Sequence, residues 1–265
     1  MNFNNYKTFL VDIWGVLHNG HDAYEGAEKA LFFLKSYGKV VLFSNTPLMP
    51  EKSKERLNEM GIINFDEILT AGKITKDWIE KNNINCKNVY LFGEEEVASP
   101  LLQSHNFVND PEEADLVFVT DFPKNFDPND SGLEKIKPSL FKLAQKGVKM
   151  ICPCVDVISV SDEGIKYTAG KIAQEYKKIG GEVTLIGKPW PLIYEYAFKT
   201  YEGNFLTFGD GLGTDMLGAK HNEIDGVWVK NGVHADKLED LPALFEEYGL
   251  EPKFSVEFFA DIIDL

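Results

Sequence analysis

The sequence predicts an α/β protein, a doubly wound parallel sheet whose chain is interrupted by a second, inserted α/β domain. Three observations predict it. Short apolar runs, each stopped by a turn containing Gly or Asp, alternate with stretches of helical periodicity. This rhythm occurs at both ends of the chain, with polar residues just beyond the apolar runs. Residues 73–186, between the two ends, carry α/β units of their own.

Taken in order, Phe9-Leu10-Val11 is the first apolar run and stops at Asp12-Ile13-Trp14-Gly15. A short run bounded by Gly reads as a buried strand feeding a loop. Ala27, Ala30, Leu31 and Leu34 then repeat at the i, i+3, i+4, i+7 spacing of an amphipathic helix, closed at Gly38. Residues 40–43 form a second buried strand that stops at Ser44-Asn45-Thr46-Pro47, and residues 51–60 a charged helix ended by Gly61. In the middle, the apolar runs 89–92, 116–120 and 148–152 alternate with helical stretches, and 109–113 and 123–131 are loop-like, rich in Pro, Asp and Asn. The opening rhythm then returns. A strand at 183–186 stops at Gly187-Lys188-Pro189, a helix starts near Pro191, and a strand at 205–208 stops at Gly209-Asp210-Gly211. Another helix leads to a strand at 226–229, and Leu241, Leu244, Phe245 and Tyr248 mark a last helix. The domains expected are a core from residues 1–72 and 187–265 and an insert from 73–186.

Composition narrows the function. The chain has 42 acidic against 27 basic residues, a net charge of −15, so clustered cations for nucleic acid or an anionic membrane are not expected. Aromatic residues without interleaved basic ones suit core packing, not base stacking. No apolar run is long enough to span a bilayer, and the start, MNFNNYKTF, has no secretory pattern. Cys86, Cys152 and Cys154 cannot all pair within one monomer, so reduced thiols and a cytoplasmic location are expected, with Cys152-Pro153-Cys154 a pair of buried thiols.

Four clusters at strand ends share one chemical logic. Asp12 offers a carboxylate, Ser44 a hydroxyl, Lys188 a cation, and Asp210 with Asp215 two further carboxylates. Each alone is an ordinary turn former or surface lysine; their order and placement carry the argument. In parallel sheets ligands bind beyond the carboxyl ends of strands. Three carboxylates gathered there raise one another's pKa unless a cation joins them. All-oxygen donors of this kind suit Mg²⁺, which takes one or two carboxylates plus phosphate oxygens. Ser44, Asn45 and Lys188 would hold the other oxygens of a phosphoryl group, and Asp12 would be the nucleophile.

The series Asp12-Ile13-Trp14-Gly15-Val16, Ser44-Asn45, Gly187-Lys188-Pro189 and Gly209-Asp210 through Thr214-Asp215 resembles the haloacid dehalogenase-like hydrolase superfamily. The long insert between the second and third clusters, and the stretch YTAGKIAQEYKKIGGEVTLIGKPWP, resemble its class IIA phosphatases, whose C2-type α/β cap lies there. The resemblance spans nearly the whole chain. It implies a Rossmann-like catalytic core and a Mg²⁺-dependent phosphatase acting on a small phosphorylated metabolite, a sugar phosphate or a nucleotide, through an aspartyl-phosphate. It also implies Asp12, Asp210, Asp215 and the main-chain carbonyl of Trp14 around the metal, Asp12, Ser44 and Lys188 in catalysis, and Ser44, Asn45 and Lys188 on the phosphoryl oxygens. Asp156, on the cap's loop over the site, is the implied substrate contact. A cap of this kind offers a surface through which two copies could form a homodimer.

One position departs from the pattern. The superfamily's phosphatases carry a second Asp two residues after the nucleophile, as acid toward the leaving group and base toward water; here that residue is Trp14. Indole exchanges no proton at useful pH. Losing a positioned acid/base slows turnover by about 10²–10⁴-fold unless another group substitutes. His18, His21 and Asp22 are the neighbours in sequence that could do so. Two outcomes are therefore open, a slow phosphatase or a catalytically weak relative that binds a phosphometabolite or a protein partner. Carbon–halogen hydrolysis fits less well, because it needs no Mg²⁺ and so leaves Asp210 and Asp215 unexplained. A phosphoacceptor receiver domain would leave the insert unexplained.

Overall fold

Two parallel sheets, joined through shared helices, carry the chain, and the computed structural model describes residues 1–161 and 164–265. In chain order the elements are β1 (Thr8–Val11), α1 (Ala27–Lys35), β2 (Lys39–Ser44), α2 (Pro50–Glu59), β3 (Glu67–Thr70) and α3 (Ala71–Lys81). Then come β4 (Asn88–Phe92), α4 (Glu95–Ala98), β5 (Asn106–Val108), β6 (Leu116–Val119), α5 (Asp130–Gln145), β7 (Lys149–Cys152), β8 (Ile158–Ser161), β9 (Gly164–Tyr167), α6 (Ala169–Lys178) and β10 (Val183–Leu185). The chain closes with α7 (Pro191–Thr200), β11 (Phe205–Gly209), α8 (Leu217–His221), β12 (Asp225–Val229), α9 (Leu241–Tyr248) and β13 (Phe254–Val256).

The first sheet has the order β13-β12-β11-β1-β2-β3 and is parallel throughout. Its chain runs outward from β1 through β2 to β3, then returns and runs the other way through β11 to β13. The reversal beside β1 is the switch point at which open α/β sheets bind ligands, beyond the carboxyl ends of the strands. Asp12, Asn45 and Asp210 are the first residues past β1, β2 and β11, so the topology alone gathers them.

Both faces of this sheet are covered, which is why β1 reads as an unbroken apolar run. Phe9, Val11, Leu42 and Phe208 pack on one face with Leu31 and Leu34 of α1. Leu10, Val41 and Phe43 point to the other face, against Ile74 and Ile79 of α3 and Ile193, Tyr194 and Ala197 of α7. Local signals set the helix starts: Pro50 and Pro191 occupy first-turn positions, and the Thr70 side chain accepts from the Lys73 N–H at 3.1 Å.

The second sheet, β10-β7-β6-β4-β5, is also parallel, with an antiparallel β8–β9 hairpin beside it. Val117, Val119 and Met150 pack against α5 and α6. Val89, Leu116, Phe118 and Ile151 face the other way and join the apolar cluster that holds Leu10, Phe43 and the α3 and α7 residues. The inserted sheet is thus packed onto the first one through α3 and α7.

The strand expected at 183–186 forms, but it pairs with β7 of the inserted sheet, Val183 with Met150 and Leu185 with Cys152. The chain crosses back only after it, so Lys188 follows the last strand of the insert, not a strand of the first sheet. Strands β3, β5, β8, β9 and β13 were not expected from periodicity; each is three or four residues long and mixes polar residues or Gly with apolar ones, so none stands out as an apolar run. Among the described residues no helix is long and apolar enough to cross a membrane.

Candidate active site

Asp12 leaves β1 with its N–H donating to Phe208 O of β11 at 2.9 Å. Its Oδ1 accepts from the Ile13 N–H at 2.8 Å, and the side chain keeps 13% exposure, open to an incoming ligand. Asp210 and Asp215 are buried beside it, and one oxygen from each of the three carboxylates lies within 4.8 Å of the others.

Glycines make this crowding feasible. A Cβ on Gly15 would stand 2.0 Å from Asp210 Oδ2, and Gly15 has the left-handed φ of 80° that glycine adopts at little cost. A Cβ on Gly232 would stand 2.2 Å from the same oxygen, which accepts from the Val233 N–H at 2.7 Å. The Cα of Gly15, the residue after Trp14, therefore lies against the Asp210 carboxylate. The Asp215 carboxylate is held by protein donors: Oδ2 takes the Gly211 N–H at 3.3 Å and the Thr214 hydroxyl at 3.1 Å, while Oδ1 takes Lys188.

Lys188 is the counter-ion of the cluster. With 1% of its side chain exposed, its Nζ donates to Phe43 O at 2.9 Å and contacts Asp12 Oδ1 and Asp215 Oδ1, each at 2.8 Å. These three contacts match the three donors of an ammonium. The Lys188 pKa is raised, with the two carboxylates outweighing a burial cost that alone would lower it. Burial raises Asp12 well above the carboxylate range, with Lys188 opposing and Asp215 and Asp210 adding to the rise. Burial, then the Asp215 charge, pushes Asp210 up to about 7. One lysine does not balance three carboxylates. An all-oxygen donor set with surplus negative charge fits a hard divalent cation such as Mg²⁺.

The motif after β2 does two jobs. Ser44 Oγ accepts from the Thr46 N–H at 3.2 Å and is buried beside the cluster. The Asn45 side chain is spent on the protein: Oδ1 accepts from the Lys188 N–H at 2.6 Å, and Nδ2 donates to Lys188 O at 3.1 Å and to Asp156 Oδ1 at 2.8 Å. Asn45 thus pins the lysine segment and ties the inserted domain to the core, which leaves its main-chain N–H as its means of holding a phosphoryl oxygen. Asp156 of the inserted domain is hydrogen-bonded to the core by Asn45. Its main-chain oxygen accepts from the Gly170 N–H at 2.9 Å and from the Thr168 hydroxyl, fixing the loop on α6.

The Trp14 ring lies edge-on to His18, centroids 5.3 Å apart, and over Gly20, where a Cβ would stand 2.4 Å from it; the indole is 36% exposed. His18 is buried, its Nδ1 accepts from the Gly20 N–H at 2.9 Å, and burial with the Arg56 charge pushes its pKa down to about 4. It is neutral at physiological pH and engaged within its own loop. His21 and Asp22 are exposed on the turn that follows. None of the three is hydrogen-bonded to the carboxylate cluster among the described residues. Cys152 and Cys154 are buried, unpaired thiols; Cys152 Sγ donates to Cys154 O, and burial pushes Cys152 up to about 12, so neither is a nucleophile.

The support from 228–234 was not foreseen. Trp228 Nε1 donates to Asp210 O at 2.9 Å, and His234 Nε2 accepts from the Leu212 N–H at 3.2 Å. With the Val233 N–H they fix the loop that carries both carboxylates. Asn231-Gly232, two residues past the end of a strand, was the one local signal of it.

The similarities agree with this geometry. Residues 9–107 match the family described as haloacid dehalogenase-like hydrolase, and residues 185–260 match one described as HAD-hydrolase-like. An acid sugar phosphatase of Staphylococcus saprophyticus is 26% identical over 236 residues, 86% of this chain and 88% of the relative. The acid sugar phosphatase of Staphylococcus aureus is 25% identical over 248 residues, 89% and 90% of the two chains. A crystal structure of a haloacid dehalogenase-like hydrolase from Brucella suis superposes with a TM-score of 0.83 at 24% identity over 97% and 96% of the chains, a likeness of fold. The p-nitrophenyl phosphatase from Archaeoglobus fulgidus does so with a TM-score of 0.75 at 25% identity over 98% and 99%. With the strand-end clusters converging on one carboxylate site and an α/β domain inserted between the second and third of them, the chain belongs to the haloacid dehalogenase-like hydrolases, class IIA.

Proposed function

We propose that this protein is a Mg²⁺-dependent phosphomonoester hydrolase that acts on a small phosphorylated metabolite through an aspartyl-phosphate on Asp12. The observation that carries the reading is the convergence of Asp12, Asp210 and Asp215 on one point, with Lys188 2.8 Å from two of them. An oxygen of Asp12 attacks phosphorus and forms the Asp12–phosphate bond as the ester oxygen leaves; water then hydrolyses that bond. Ser44 Oγ, the Asn45 main-chain N–H and Lys188 hold the phosphoryl oxygens, and Lys188 exchanges one present contact to do so. Asp12, Asp210 and the Trp14 carbonyl would hold Mg²⁺, with Asp215 orienting the site, and the ion would supply neutralisation of the charge on the phosphoryl oxygens. The inserted domain serves as the cap, and the names of the Staphylococcus relatives favour a sugar phosphate as substrate.

The test is phosphate release from a panel of sugar phosphates, nucleotides and p-nitrophenyl phosphate, with Mg²⁺ or EDTA. Metal-dependent release that Asp12→Asn abolishes is the expected result; no metal-dependent release from any ester removes the reading. Trp14 favours a second reading, a relative that binds phosphate esters with little turnover. Tight ester binding that survives Asp12→Asn, without phosphate release, would select it.

A further inference from the structure

We propose that Asp156, delivered by the cap, is the acid that protonates the leaving oxygen, in place of a carboxyl at position 14. The inference rests on the phosphatase reading above. In-line displacement places the leaving oxygen on the side of phosphorus opposite the nucleophile. Asp12 stands at the carboxyl end of β1, and the inserted domain meets that rim of the sheet from beyond the strand ends, through the Asn45–Asp156 hydrogen bond. Among the described residues, Asp156 is the cap carboxyl hydrogen-bonded into the site, with Asn45 Nδ2 2.8 Å from its Oδ1.

Its loop is built to hold that position. The main-chain oxygen of Asp156 takes two donors from the start of α6. Gly170 lies so close beneath that a Cβ would stand 2.2 Å from Val155 O and 2.4 Å from Asp156 O. Gly187, two residues past β10, leaves no room for a Cβ beside Asn45 Oδ1, at 2.7 Å. The carboxyl is half-buried, faced by Lys188 and Asp215 of the core and by the Cys152 and Cys154 thiols of its own domain. Burial raises its pKa from the ordinary carboxylate value, against the Asn45 hydrogen bond and the Lys188 charge, which is the direction that favours a proton donor. His18 is engaged with Gly20, and His21 and Asp22 are exposed, so the other candidates for the role lack its placement.

The step balances. The Asp12–phosphorus bond forms as the phosphorus–ester oxygen bond breaks; the ester oxygen keeps the bonding pair and takes the proton of the Asp156 carboxyl, which becomes a carboxylate. An alkoxide leaving group needs that proton, whereas nitrophenolate leaves without it.

The experiment compares kcat/KM for p-nitrophenyl phosphate and for alkyl phosphates, including a sugar phosphate, in the full chain and in Asp156→Asn, which keeps an acceptor for Asn45. kcat/KM reports steps only through departure of the alcohol. Asp156→Asn is expected to lower kcat/KM on alkyl esters by about 10²–10⁴-fold and on the nitrophenyl ester by far less. Adding Trp14→Asp to that variant is expected to restore alkyl ester hydrolysis. Equal losses on both ester types would make Asp156 a binding residue, and no loss would make it a bystander; either overturns the proposal while the phosphatase reading stands. Should the variant fail to fold, the unaltered protein still decides: kcat/KM is expected to vary little with the basicity of the leaving alcohol, and a steep dependence overturns the proposal. Absence of phosphate release from every ester would overturn both.

Discussion

Replacing Lys188 by Met keeps the length of the side chain and removes its charge, which isolates the electrostatic role of the lysine. Lys188 is the cation within hydrogen-bond distance of both Asp12 and Asp215, and it also satisfies Phe43 O. Deleting one partner of a buried ion pair costs about 3–5 kcal/mol, because the remaining charge is left uncompensated. At about 2–4 °C per kcal/mol, usual for chains approaching this size, the metal-free variant should melt about 6–20 °C below the unaltered protein. A divalent cation supplies charge where the lysine supplied it. Saturation at one hundred times Kd contributes about 2.7 kcal/mol to any site, and the gain in the variant should exceed that in the unaltered protein at the same Mg²⁺ concentration, because more uncompensated charge meets the ion. Thermal and urea melts at neutral pH, in EDTA and across a Mg²⁺ series, measure both effects. A metal-free variant within about 1 kcal/mol of the unaltered protein would refute the argument that Lys188 is the structural counter-ion.

Protons and Mg²⁺ should compete for the same carboxylates. Burial raises Asp12 and pushes Asp210 up to about 7. A raised carboxyl binds its proton more tightly folded than unfolded, so this contribution to stability is present below the unfolded value and is lost as pH rises through the folded one, by as much as about 1.4 kcal/mol per pH unit per group. His18 and His234, both lowered by burial, act in the opposite direction below about 6.5, so the readout is the difference between urea melts in Mg²⁺ and in EDTA. That difference should grow from pH 5 to 8; a constant or shrinking difference counts against the shared site. Tyr194→Phe tests packing under Lys188. Among the described residues the buried Tyr194 hydroxyl has no hydrogen-bond partner, and Gly218 is so close that a Cβ would stand 2.0 Å from it. Removing an unsatisfied hydroxyl should raise stability by about 1 kcal/mol in urea melts, and a loss of that size would mean the oxygen is satisfied in solution.

The parts of the site legible in the sequence are those that a strand delivers. Asp12, Asn45 and Asp210 follow runs buried on both faces, and a buried run must stop where its polar successor begins, so apolar patterning marks the sheet and its functional rim together. Lys188 was legible as a residue but not as a position, because a three-residue strand with half-buried side chains carries no mark of which sheet it joins. The contacts that set the chemistry left no local trace. Asn45 reaches Lys188 across 143 residues and Asp156 across 111, and His234 reaches Leu212 across 22. Such pairings follow from topology, and no periodicity encodes them. Trp14 is the converse case, plain in the sequence as a missing acid yet silent about what replaces it. The structure points to the replacement through packing. Because Phe118 and Ile151 of the cap share one apolar cluster with Phe43 and Tyr194 of the core, the cap sheet is seated on the core through α3 and α7, and Asn45 holds the β7–β8 loop at the end of β2. A carboxyl on a cap joined only by mobile linkers would meet the ester oxygen in a fraction of encounters, whereas one on a seated cap is in place for each. The cluster that joins the two sheets is therefore a condition for moving an acid from the core to the cap, and this chain has both.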